Sequence, residues 1–142
     1  MNILIITYEF PPIGGGTGKA SYYTGRELVR MGHNVGVLTL RFKGQKKDEM
    51  VSGMRVFRIP ALRKRPNQSN IFEVATFAAS GVVRAGSICN TFKPAVTLAY
   101  FTIPSGVVSL WLKYTRGIPF LTLLRGQDVP GWLPDVLWLP HM

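Results

Sequence analysis

The first forty residues restrict the fold more than any other part of the sequence. NILIIT (residues 2–7) is short, continuously apolar and rich in isoleucine. That is the pattern of a strand buried on both faces of a parallel sheet. The loop YEFPPIGGGTGKAS (residues 8–21) follows, with four glycines in five positions. Residues 19–31 then read as a helix, with Ala20, Tyr23, Leu28 and Met31 on one stripe and Gly32 placed to end it. NVGVLTL (residues 34–40) is a second buried strand. Strand, helix and strand in this space make a βαβ unit.

The rest of the chain continues the theme. Residues 43–53 are polar and read as a loop, and RVFRI (residues 55–59) as a third strand ended by Pro60. Asn70 and Glu73 have capping-box spacing at the head of a helix running to about Thr91. Residues 95–101 form a fourth strand, residues 105–116 a helix ended near Gly117, and IPFLTLL (residues 118–124) a fifth strand. The order β-α-β-β-α-β-α-β predicts an α/β fold: a Rossmann-like, doubly wound, mostly parallel sheet with helices on both faces. The uncharged run 94–112 is long enough for a membrane span. Pro104 and Gly106 interrupt it, so it reads as a strand and a helix instead.

A length of 142 residues suits one domain with a real core. A single cysteine, Cys89, excludes a disulfide framework and fits a cytoplasmic setting. The net charge is +10, and residues 1–66 hold 12 of the 17 Lys and Arg but 4 of the 7 acids. The basic residues gather in RFKGQKK (41–47) and RVFRIPALRKR (55–65). Two readings stand for these runs: solvated loops, or an anionic partner such as a membrane surface, with contact worth about 1 kcal/mol per basic residue. Nucleic acid is disfavoured, because no aromatic residues interleave with the cations to stack bases. His33 and His141 stand isolated in the sequence.

The glycine loop fails two phosphate-loop patterns. In the nucleoside-triphosphate loop, Gly18-Lys19 would put Ile13 at the first glycine and Ala20 at the magnesium-binding hydroxyl. In the dinucleotide fingerprint, counting from Gly14 puts Lys19 at the third glycine. Arg41 stands where that fingerprint needs an acid. What survives is the physics. Two prolines stiffen the approach, glycines admit a close anion, and the helix that follows offers free N–H groups and the positive end of its dipole. A diphosphate suits such a device.

Residues 1–40 resemble the opening of family 4 glycosyltransferases, retaining nucleotide-sugar enzymes of the glycosyltransferase B fold. The Pro11-Pro12 pair, Gly15-Gly16 with Gly18, and Met31-Gly32-His33 before strand two carry the likeness. IPFLTLLRGQDVPGW and TLAYFTIPSGVVSLWL resemble later segments of the same family. The resemblance implies that Gly15, Gly16, Thr17 and Gly18 face the donor's diphosphate. It implies that Arg125 and Asp128 sit at the mouth of the acceptor cleft as the catalytic residues, with Glu9, Lys19 and Tyr100 on the acceptor side. It implies a UDP- or GDP-hexose donor, a lipid-linked or saccharide acceptor, an oxocarbenium-like transition state and a role in building cell-envelope polysaccharide. No Asp-x-Asp occurs in the sequence, so neither metal nor cofactor is expected.

Two residues depart from the family pattern. Arg125 stands where relatives often carry histidine, and it stays charged where histidine would share a proton. Ala99 precedes Tyr100-Phe101 where many relatives have histidine. The family's second Rossmann domain has no counterpart in these 142 residues. The sequence therefore reads as an incomplete amino-terminal, acceptor-side domain, inactive by itself, lying in the cytoplasm or at the inner face of the membrane. The apolar tail 132–142 reads as a surface for self-association. The rival expectation is a non-catalytic α/β module that binds membranes or partners.

Overall fold

The computed structural model describes residues 1–66 and 69–128. The tail expected to self-associate, with His141, lies outside them. Six strands form one sheet: β1 (Asn2–Ile6), β2 (Asn34–Arg41), β3 (Asp48–Val51), β4 (Met54–Pro60), β5 (Val96–Tyr100) and β6 (Phe120–Leu123). Their order is β3-β4-β2-β1-β5-β6. All neighbours run parallel except β3, which pairs antiparallel with β4 (Asp48 opposite Phe57, Val51 opposite Met54). Helix α1 (Gly16–Arg30) packs on one face. Helices α2 (Ile71–Phe92) and α3 (Val107–Arg116) pack on the other.

Burial on both faces explains the unbroken apolar runs. Successive strand residues point to opposite sides, and here both sides are covered. Ile5, Val35, Val37, Met54 and Val56 pack beneath α1 with Phe10 and Tyr100. Leu4, Ile6, Leu38, Leu40, Phe57 and Ile59 meet Phe77, Ala85, Cys89 and Phe92 of α2, and Val108 and Leu112 of α3. Helix α2 is long and apolar enough to cross a membrane by length and composition. In this fold its Phe77, Gly81, Ala85, Cys89 and Phe92 are buried.

The structure differs from the sequence reading in four places. Residues 43–53 are not all loop, because Asp48–Val51 forms edge strand β3, with Ser52-Gly53 turning into β4. Helix α1 begins at Gly16, three residues early, so Thr17 and Gly18 belong to its first turn. Its fully buried residues are Gly18, Ser21 and Gly25; of the predicted stripe, Ala20 and Leu28 pack partly buried against the core, while Tyr23 and Met31 are exposed. The helix read over 105–116 begins at Val107, preceded by a kinked turn, Phe101–Gly106, whose Ile103 has extended backbone angles. The uncharged run 94–112 becomes β5, that turn and half of α3.

Candidate functional site

Strand order sets where a ligand can enter. From central β1 the chain moves to β2 and β4 on one side, then crosses to β5 and β6 on the other. The loops leaving β1 and β5 therefore diverge and open a crevice at the carboxyl edge, the usual ligand position in such sheets. A cavity of about 260 Å³ lies there. Tyr8, Glu9, Gly16 and Thr17 line it after β1, Phe101 and Pro104 after β5, Arg125 and Gly126 after β6, and Ser69 and Val74 at the head of α2.

The loop after β1 is folded tightly on itself. Thr7 Oγ1 donates to Glu9 O at 2.8 Å, and Ile13 N to Phe10 O at 3.2 Å. Gly14 has φ +94°, and a Cβ there would lie 2.6 Å from Glu9 Cβ. Gly18 is buried, and its Cβ would meet Ile13 O at 3.2 Å. These two glycines answer to packing, whereas Gly15 and Gly16 have open space where a Cβ would sit. No side chain caps α1 at Gly15, and its first turn holds no acid. The first-turn N–H groups of Gly16 and Thr17 thus stand at the cavity with the positive end of the helix dipole behind them.

Glu9 already serves part of this loop. Its Oε2 accepts the Gly15 N–H at 3.2 Å and its Oε1 accepts from Arg63 Nη2 at 3.1 Å. The Arg63 side chain is 1% exposed. It donates to Arg65 O and Pro66 O and lies over the Tyr8 ring, 4.9 Å from the centroid. Sequence reasoning passed over Arg63 because it sits in a basic run that resembles a solvated loop. Burial pushes the Tyr8 phenol above its ordinary value, and the Arg63 charge pulls it part of the way back.

The far wall belongs to Arg125. Its guanidinium lies over the Tyr100 ring at 5.2 Å, and its Nε is buried without a hydrogen-bond partner among the described residues. Phe101 lines the same wall with φ 73°, a conformation rare for a bulky residue and frequent near binding sites.

Five expected site residues, Gly15, Gly18, Lys19, Tyr100 and Asp128, are not among those lining the cavity. Tyr100 is fully buried, and its hydroxyl donates to Thr24 Oγ1 of α1 at 2.8 Å. Its ring lies under the Arg125 guanidinium. Both carboxylate oxygens of Asp128 accept backbone N–H groups, from Thr102 and from Arg125, each at 3.0 Å. Asp128 therefore clasps the turn after β6 to the turn after β5. Lys19 is exposed on α1 and does not line the cavity.

No family model and no curated protein matches the sequence. Solved structures do match in shape. Sucrose-phosphate synthase from Thermosynechococcus elongatus superposes with a TM-score of 0.70 at 15% identity, over 86% of this chain and 32% of the synthase. This is a Rossmann-like α/β fold. A Streptomyces glycosyltransferase matches with a TM-score of 0.58 at 16% identity, over 86% of this chain and 38% of that one. The C-terminal domain of a Pyrococcus furiosus hydrogenase matches with a TM-score of 0.57 at 16% identity, over 87% of this chain and 90% of that one. The described residues share this fold with all three and span about a third of the synthase, and the hydrogenase match shows that one fold serves several chemistries.

Proposed function

We propose that these residues form the acceptor-side half of a retaining glycosyltransferase of family 4 type. The enzyme would transfer a hexose from a UDP- or GDP-sugar to a lipid-linked or saccharide acceptor. One observation carries this reading: the uncapped glycine loop and Arg125 face each other across one cavity at the β1–β5 crevice. Donors on one wall and a permanent cation on the other suit a phosphate-bearing substrate and a leaving group that gains negative charge. Arg125 acts here as an electrostatic clamp, since a guanidinium does not serve as a general base near neutrality. Asp128 and Tyr100 act through it as positioning residues. The donor's diphosphate would meet the start of α1 and Arg125 on this half, and in the family's pattern a second α/β half would complete the contacts to its base and sugar.

The test is to read the source DNA beyond codon 142 and assay the product with UDP- and GDP-hexoses. Arg125-dependent release of nucleoside diphosphate is the expected result. A reading frame that supplies no second half, in the same gene or a neighbouring one, would contradict catalysis. A second reading, a membrane-associating module, draws support from Leu62, Ile71 and Phe72, which are 65%, 79% and 77% exposed beside the basic run 55–65. It places the protein at the inner face of the membrane. Flotation with anionic vesicles, without binding of any nucleotide sugar, would favour it.

A further inference from the structure

A second cavity, of about 270 Å³, lies between α2 and the β2–β4–β3 side of the sheet. It shares no lining residue with the β1–β5 crevice. Ten to fourteen residues of α2 separate Val74 of the first from Arg84 and Ile88 of the second, roughly 15–20 Å along the helix axis. Arg41 at the end of β2, Lys47 before β3 and Arg84 of α2 line it together with Ser87, and Phe57 and Ile59 contribute apolar surface. Arg41, Lys47 and Arg84 form no ion pair or side-chain hydrogen bond among the described residues. The single acid of the lining, Asp48, is committed to Arg55, with Nη2 to Oδ2 at 2.7 Å.

We infer that this cavity is a binding site for a phosphate group carried on an apolar body. Of the four cations that line the concavity, Arg58 is paired with Glu49, whereas the other three come from three separate elements, and the only carboxylate of the lining, Asp48, is paired with Arg55. A solvated loop would not need the Arg84 contribution from α2, and like charges gathered around one concavity favour an anion among them. The apolar share of the lining distinguishes the site from a bare anion patch. The phosphate can come from a soluble phosphate ester or from a lipid headgroup. The inference does not rest on the glycosyltransferase reading.

The test uses the isotopically labelled chain titrated with inorganic phosphate, followed by amide NMR. Saturable shifts at residues 41, 47–48 and 84–88 are expected, and about tenfold weaker binding in Lys47→Gln and in Arg84→Gln. Circular dichroism should show both variants folded, since both side chains are exposed. Flotation with phosphatidylcholine vesicles, with and without phosphatidylglycerol, identifies the source. Flotation only on anionic vesicles, lost in both variants and competed by phosphate, assigns a lipid headgroup. Phosphate binding without flotation assigns a soluble ester. Absence of shifts at these residues in the unmodified chain, or binding equal in all three proteins, would overturn the inference.

Discussion

Glu9 and Arg63 hold the wall of the crevice through one charged contact. Arg63 is buried, and Glu9 is its acidic partner while also holding the Gly15 N–H. Removing one member leaves the other desolvated and unpaired. Arg63→Met is therefore expected to lower unfolding free energy by about 2–4 kcal/mol, and Glu9→Gln, which keeps an acceptor, by about 1 kcal/mol. Urea denaturation of the two variants checks both values. At Cys89, burial pushes the thiol above its ordinary 9.0 and the Arg116 charge pulls it partly back. The folded state thus holds that proton more tightly than the unfolded chain does. The associated stability is whole below the unfolded value and is lost as pH rises through the folded one. Denaturation at pH 8 and pH 10 should show lower stability at pH 10, with a shallower decline in Cys89→Ala. The sequence marked the glycines and Arg125 but not Arg63, because burial of a residue in a basic run depends on distant contacts.

Among the elements, ends with local chemical causes were the most legible. Asn70 Oδ1 accepts the Glu73 N–H at 2.9 Å and Glu73 Oε2 accepts the Asn70 N–H at 3.2 Å, the capping box read from spacing alone. Gly117 ends α3 with φ 68°. Asn70→Ala should cost about 1 kcal/mol, seen as a lower thermal midpoint. The α2–α3 contact depends on Gly81, where a Cβ would lie 2.6 Å from Val108 Cγ2. Gly81→Ala should destabilise by about 1–3 kcal/mol through overpacking, although alanine is the better helix former. A combined Gly81→Ala and Val108→Ala protein should recover part of that loss. Strand β3 was not legible. Asp48 and Glu49 are poor strand formers, held by Arg55 and Arg58 across the hairpin, and a partner nine residues away leaves no periodic trace. The start of α1 was missed because glycine is a weak helix residue, and Gly18 in its first turn packs instead against Glu9 and Ile13 of the preceding loop.

At the scale of the molecule, the alternation of apolar strands and helices in the sequence led to the layered architecture, because burial on both faces leaves a mark in the central strands β1, β2 and β4. The position of the crevice followed from strand order. What the sequence did not carry was which side chains face it, since Tyr100 and Asp128 are committed to the scaffold while Tyr8, Phe101 and Ser69 line the opening. The central claim is that the β1–β5 crevice takes a nucleoside diphosphate between the start of α1 and Arg125. The most direct measurement is amide NMR of the labelled chain titrated with UDP, GDP, NAD and ATP in parallel. UDP or GDP should move the Gly15–Gly18 and Arg125–Gly126 signals in preference to NAD and ATP, and Arg125→Ala should abolish most of the response. If NAD or ATP moved those signals more strongly, or no nucleotide moved them at all, the account of this crevice would be contradicted.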